Sequence, residues 1–132
     1  MKLITILQGR DALAKLTETP FTSYKTLREL VRLKKRVDEE YEFYSTQEKR
    51  AVDTYADKTE DGQLIFVEGG RLKLKDAQAK LAFDAELTKL NETEIEDIPA
   101  VTIRESDFKS AADFPTAAEM LLLSAFINFE ED

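Results

Sequence analysis

The chain has 132 residues, of which 42% are apolar and 35% charged. That balance specifies one folded, helix-rich domain rather than a disordered segment. Histidine, cysteine and tryptophan are absent, which excludes disulfides, thiolate zinc sites, haem ligation and any mechanism using a histidine base or cysteine nucleophile.

The net charge of −8 is unevenly spread. Residues 84–132 hold 13 acidic and 3 basic side chains (3 − 13 = −10), and residues 1–83 hold 14 acidic and 16 basic ones (16 − 14 = +2). An acidic chain repels nucleic acid unless a local patch overrides its field.

The segment Leu3–Leu7 is rich in β-branched residues, too short for a signal-peptide core, and predicts a strand ended by Gly9. Asp11 is then placed to cap a short helix to about Thr17, and Pro20 breaks the chain. Thr22 or Ser23 caps a second helix, with Phe21 as a staple. No Pro or Gly occurs from Phe21 to Asp61, and Leu27, Leu30, Val37, Tyr41, Tyr44, Ala51 and Tyr55 recur in steps of three and four or their sums. A helix over about 23–56 follows, roughly 50 Å long. A helix of that length needs a coiled-coil-like partner.

Asp61-Gly62 and Glu68-Gly69-Gly70 are turn signals that bracket a strand at Gln63–Val67, and Arg71–Lys75 alternates as a second strand. Asp76 caps a third helix to about Leu90. Glu94–Ile98 and Ala100–Ile103 read as short strands around Pro99, and Ser106–Phe108 as one helical turn. Asp113 and Pro115 open a last helix to about Phe126, and Glu130–Asp132 reads as a frayed tail.

The order of these parts resembles a family of small proteins of unknown function encoded by tailed phages and prophages of Gram-positive bacteria. The resemblance spans about residues 13–132. It rests on Leu27-Arg28-Glu29-Leu30-Val31-Arg32-Leu33, Thr59-Glu60-Asp61-Gly62-Gln63-Leu64-Ile65, Leu72-Lys73-Leu74-Lys75, Glu92-Thr93-Glu94-Ile95 and Thr116-Ala117-Ala118-Glu119-Met120-Leu121 with Phe126-Ile127. It implies a phage origin and supplies no catalytic residues.

Three patterns carry candidate chemistry. Asp57–Glu68 matches an EF-hand loop at positions 1, 5, 6 and 12, but Thr59 and Ile65 are poor at positions 3 and 9, and Gly69-Gly70 stands where the exiting helix belongs. A connecting turn explains the same residues, and no metal or cofactor is expected. Arg28, Arg32 and Arg36 form a basic stripe that could meet phosphates. Against it, Lys34, Lys35 and Arg36 each precede an acidic residue by four, the spacing of a self-neutralising helix face. Tyr41, Tyr44 and Tyr55 lie on the apolar seam, where packing is the default.

The sequence therefore predicts an α+β, mainly α protein and one elongated domain. Residues 23–90 would form an antiparallel helical-hairpin stalk tipped by a β-hairpin, on a base of residues 1–20 and 91–129 where the N-terminal strand pairs with Glu94–Ile103 in a small sheet covered by the C-terminal helix. The expected function is non-enzymatic, that of a phage accessory or assembly protein in the host cytoplasm or on the virion, working through protein–protein contacts. The alternatives are an acidic inhibitor of a host nucleic-acid-binding or defence protein, and a weak nucleic-acid binder through the basic stripe. A phage or host protein is the expected partner, with no membrane and nucleic acid disfavoured. Leu27, Leu30, Val37, Tyr41 and Tyr44 are the expected interface of a dimer.

Overall fold

The longest element is the one the apolar seam demands. In a computed structural model describing Met1 to Asp132, helix α2 runs over Tyr24–Tyr55, with the Ser23 hydroxyl accepting from the Thr26 amide at 3.3 Å. The other elements are helices α1 (Leu3–Thr17), α3 (Ala77–Asn91) and α4 (Ala117–Leu123) and strands β1 (Phe66–Val67), β2 (Arg71–Leu72), β3 (Val101–Arg104) and β4 (Ile127–Glu130). The protein is α+β and mainly helical, with small sheets.

The chain divides into two compact units. The first takes Met1–Tyr41 and Glu94–Asp132, and the second takes Glu42–Thr93. Residues 24–41 of α2, expected in a stalk, belong instead with the segments expected at the base.

In the first unit, Leu3–Leu7 is helix rather than strand. Leu3, Ile6, Leu13 and Leu16 are buried at helical spacing, and that tertiary burial outweighs the β-propensity of Ile4, Thr5 and Ile6. Asp11 is no cap: α1 begins after Lys2, and Asp11 lies exposed within it. Gly9 does not end the element either. A Cβ there would lie 2.7 Å from Phe126 Cζ and 2.8 Å from the Leu122 carbonyl oxygen, so glycine lets α1 approach the chain at the end of α4.

The strand pairing also differs from expectation. β3 lies parallel to β4, in register Val101↔Ile127 through Arg104↔Glu130. The N-terminal segment contributes only an isolated bridge, Lys2↔Glu94, beside the Ile95 amide, which donates to the Met1 carbonyl at 2.7 Å. Asp97, inside the expected strand Glu94–Ile98, sits at the left-handed φ of 60°, and the segment forms no strand beyond the bridge at Glu94. The last helix starts later than Asp113. Thr116 and Glu119 form a reciprocal capping box that sets its first turn at Ala117. It also stops earlier, at Leu123, and β4 follows over Ile127–Glu130, so of the supposed tail only Glu130 lies in a strand.

The first unit's core gathers Leu13, Leu30, Leu33, Val37, Ile103, Leu123 and Phe126, among others, from α1, α2, β3 and the α4 region. Phe21 packs into it, its ring centroid 5.1 Å from that of Phe108.

In the second unit, Asp76 caps α3 as its sequence position requires, its Oδ1 accepting from the Ala79 amide at 2.7 Å. β1 and β2 pair antiparallel, Phe66↔Leu72 and Val67↔Arg71. They are shorter than expected because Gln63–Ile65 and Lys73–Lys75 are held through isolated bridges, Lys58↔Leu64 and Ala56↔Leu74. Gly69 and Gly70 have φ of 83° and 74°, the left-handed values the turn between the strands requires.

Candidate interaction surfaces

The expected dimer seam is mostly closed within the chain. Leu30 and Val37 are fully buried in the first unit's core, and Leu27 packs half-buried against it. They are not available to a partner, because α1 and the C-terminal strands supply the packing that a second copy was expected to provide. Tyr41 is half-buried with the Arg10 guanidinium 3.8 Å above its ring, a cation–π contact. Tyr44 donates its hydroxyl proton to Glu48 at 2.6 Å.

The basic face of α2 differs from the expected stripe in composition. Arg36 pairs with Glu40 and also donates to the Glu96 carbonyl at 3.3 Å. It is a structural residue and leaves the phosphate-binding set. Lys34 pairs with Asp38 at 2.7 Å, and Arg10 reaches the same carboxylate at 3.2 Å. Partial burial opposes charge on Asp38, yet hydrogen bonds and attraction from Lys34 and Arg10 prevail and lower its pKa. Arg28 and Arg32 are exposed and make neither an ion pair nor a hydrogen bond, and Lys25 and Lys35 share that state. These four cations follow steps of three, four and three, opposite the buried stripe Thr26, Leu30, Leu33 and Val37. Beside them Tyr24 is 82% exposed and Val31 54%.

A second surface comes from β3, β4 and the turns before α4. It is a cleft of about 340 Å³ whose apolar walls include Phe108, Phe114, Met120 and Phe129. The Phe108 and Phe114 rings lie 5.0 Å apart. Glu105, Glu130 and Glu131 rim it with Arg104. Arg104 stands 3.8 Å from Glu130, whereas Glu105 and Glu131 have no ion-pair partner. The Ser106 hydroxyl, together with the Ser106 backbone amide that donates to Asp132 at 3.1 Å, lowers that carboxyl's pKa.

α4 itself presents a third surface. Met120, Leu121 and Leu122 are exposed, Leu121 to 76%, while Leu123 is fully buried and anchors the helix. The Glu119 carboxylate accepts from the Thr116 amide at 2.9 Å and pairs with Lys15 at 3.0 Å, and these contacts hold its pKa below the usual carboxylate value.

The EF-hand-like loop is tied to its own neighbours. Asp57 pairs with Lys73 at 3.1 Å, the Thr59 hydroxyl accepts from Gln63 at 3.1 Å, and strand β1 takes the place of an exiting helix. No three acidic side chains of the chain converge into a cation-binding group. No helix is long and apolar enough to cross a membrane.

The cleft escaped the sequence reading because β4 did. Its signal was present: Ile127, Asn128, Phe129 and Glu130 alternate apolar and polar. No protein-family model, curated protein or solved structure matches the chain.

Proposed function

We propose that this is a non-enzymatic phage accessory or assembly protein that acts through protein–protein contacts, in the host cytoplasm or on the virion. The observation that carries the reading is the run Met120-Leu121-Leu122, exposed on a helix that a capping box and buried Leu123 hold in place. Contiguous exposed apolar side chains on a fixed element mark a contact surface. Self-association belongs to the same reading, through surfaces other than the closed seam. The reading also takes residues 42–93 as a coiled-coil-like hairpin with the β1–β2 ladder at its tip. The hydrogen bond from the Tyr55 hydroxyl to Glu86 at 2.8 Å and the groove that α2 and α3 line together support it.

A photo-crosslinking amino acid at Leu121 tests the function in cells producing phage. A crosslink to a phage-encoded protein, lost on Met120→Lys with an unchanged melting curve, is expected. Absence of any such crosslink, or one that survives the substitution, would overturn the reading.

A further inference from the structure

The first unit carries two surfaces that complement each other and are both unpartnered within the chain. One is the cationic stripe of α2, where Lys25, Arg28, Arg32 and Lys35 run for about 15 Å with Tyr24 and Val31 exposed alongside. The other is the cleft at β3 and β4, apolar within and edged by the carboxylates of Glu105 and Glu131, which have no ion-pair partner.

We infer that the occupant of the cleft is a second copy of this chain, docking the cationic face of its α2. Tyr24 and Val31 enter the apolar floor near Phe114, Met120 and Phe129, and Arg28 and Arg32 meet the acidic rim. Two arguments select this occupant. The charges are opposite, so encounter is steered and the wrong pairings, stripe on stripe or rim on rim, are repelled. The apolar side chains also fit the chemistry of the walls: an aromatic ring and a branched aliphatic seven residues apart on one helix offer two anchors to an aromatic- and Met-lined cleft. The contact is heterologous, because each copy offers a stripe and a cleft and uses them on different neighbours. Such a contact gives a closed ring or an open filament according to the rotation between copies. The inference rests on the protein-contact reading above and specifies one partner and one geometry of contact.

Sedimentation velocity over micromolar to submillimolar concentrations tests it. In low salt the wild-type mass should rise with concentration beyond the dimer, and the association constant should fall at least tenfold in half-molar salt. Arg28→Glu with Arg32→Glu retains a cleft but no stripe; Glu105→Lys with Glu131→Lys retains a stripe but no complementary rim. Each double variant alone should remain monomeric. Mixed in equal amounts they should associate again, because the intact stripe meets the intact rim and the reversed stripe meets the reversed rim. Tyr24→Ala, which changes no charge, should weaken wild-type association at least threefold. All five side chains are exposed, and unchanged circular dichroism checks the fold.

A wild type that stays monomeric throughout overturns the inference, as do double variants that associate like the wild type or a mixture that stays monomeric. Binding of a 20-base-pair DNA duplex to a monomeric wild type, lost on Arg28→Glu with Arg32→Glu, would assign the stripe to phosphates instead. If self-association fails while the Leu121 crosslink persists, only this inference falls; if both fail, the protein-contact reading falls with it.

Discussion

The two units are stabilised by different means. Every fully or nearly buried apolar side chain lies in the first unit except Ala51 and Ala56, and α3 buries none. The second unit relies on local polar links instead: the Asp76 cap, Lys80 with Asp84, Lys58 with Asp53, and Tyr44 with Glu48. Exposed links of this kind contribute a fraction of a kcal/mol each. Leucine content does not separate the units, since α3 has its own Leu81, Leu87 and Leu90. What separates them is whether distant segments fold onto the apolar face. The first unit has five elements around one core; the second leaves Leu81 72% exposed and Phe66 60%.

The contrast is sharpest at a matched pair of leucines. Leu30→Ala removes a fully buried side chain and should cost about 3 kcal/mol through lost burial and the cavity left behind. Leu81→Ala, on exposed α3, should change stability by less than about 0.5 kcal/mol. Urea unfolding of both variants measures the difference, and equal losses would break the comparison.

Gly9→Ala comes next. Its new methyl would press on Phe126 and the Leu122 carbonyl, an overpacking cost of about 1–3 kcal/mol against roughly 1 kcal/mol gained in helix propensity. A net loss of about 1 kcal/mol in the same assay is expected; a gain would show that α1 and α4 can separate without penalty.

The smallest effect concerns Glu119. Its pKa is lowered in the folded chain by the Thr116 amide and Lys15. A carboxylate with a lowered folded pKa stabilises above its unfolded pKa and loses that contribution as pH falls through the folded value. Glu119→Gln should therefore lower the melting temperature at pH 7 and have no such effect near pH 2, as calorimetry at the two pH values will show.

Much of the second unit was legible because its signals are local. The Asp76 cap, the two glycine turns and the unbroken periodicity of α2 each fix structure within a few residues. The first unit was misread where a distant partner decides the outcome. Ile4-Thr5-Ile6 has strand propensity, yet a core from the other end of the chain selects the helix. Gly9 looks like a terminator until Phe126 is placed beside it. The interaction surfaces follow the same rule. Arg28 and Arg32 were legible as an exposed stripe, whereas Arg36 was lost to Glu40 and the Glu96 carbonyl. Leu30 and Val37 were assigned to a partner because the segments that bury them lie outside any local window. The cleft depends on a parallel pairing of strands separated by a helix, which no short pattern encodes.

The first unit draws its chain from both sides of the second, and that has a kinetic consequence. The Thr22 hydroxyl donates to the Ser106 carbonyl across 84 positions of sequence, and the Phe21–Phe108 pair spans a similar distance. Such contacts form only after the intervening segment has closed as a loop. Loop entropy grows logarithmically, about 0.6 kcal/mol for each doubling of length, so the equilibrium burden is modest. The search time is not, because folding rates fall as contacts become more distant in sequence. Residues 42–93 therefore act as a built-in delay: their own helices and turn need only near neighbours, while the better-packed unit waits for both of its halves to meet.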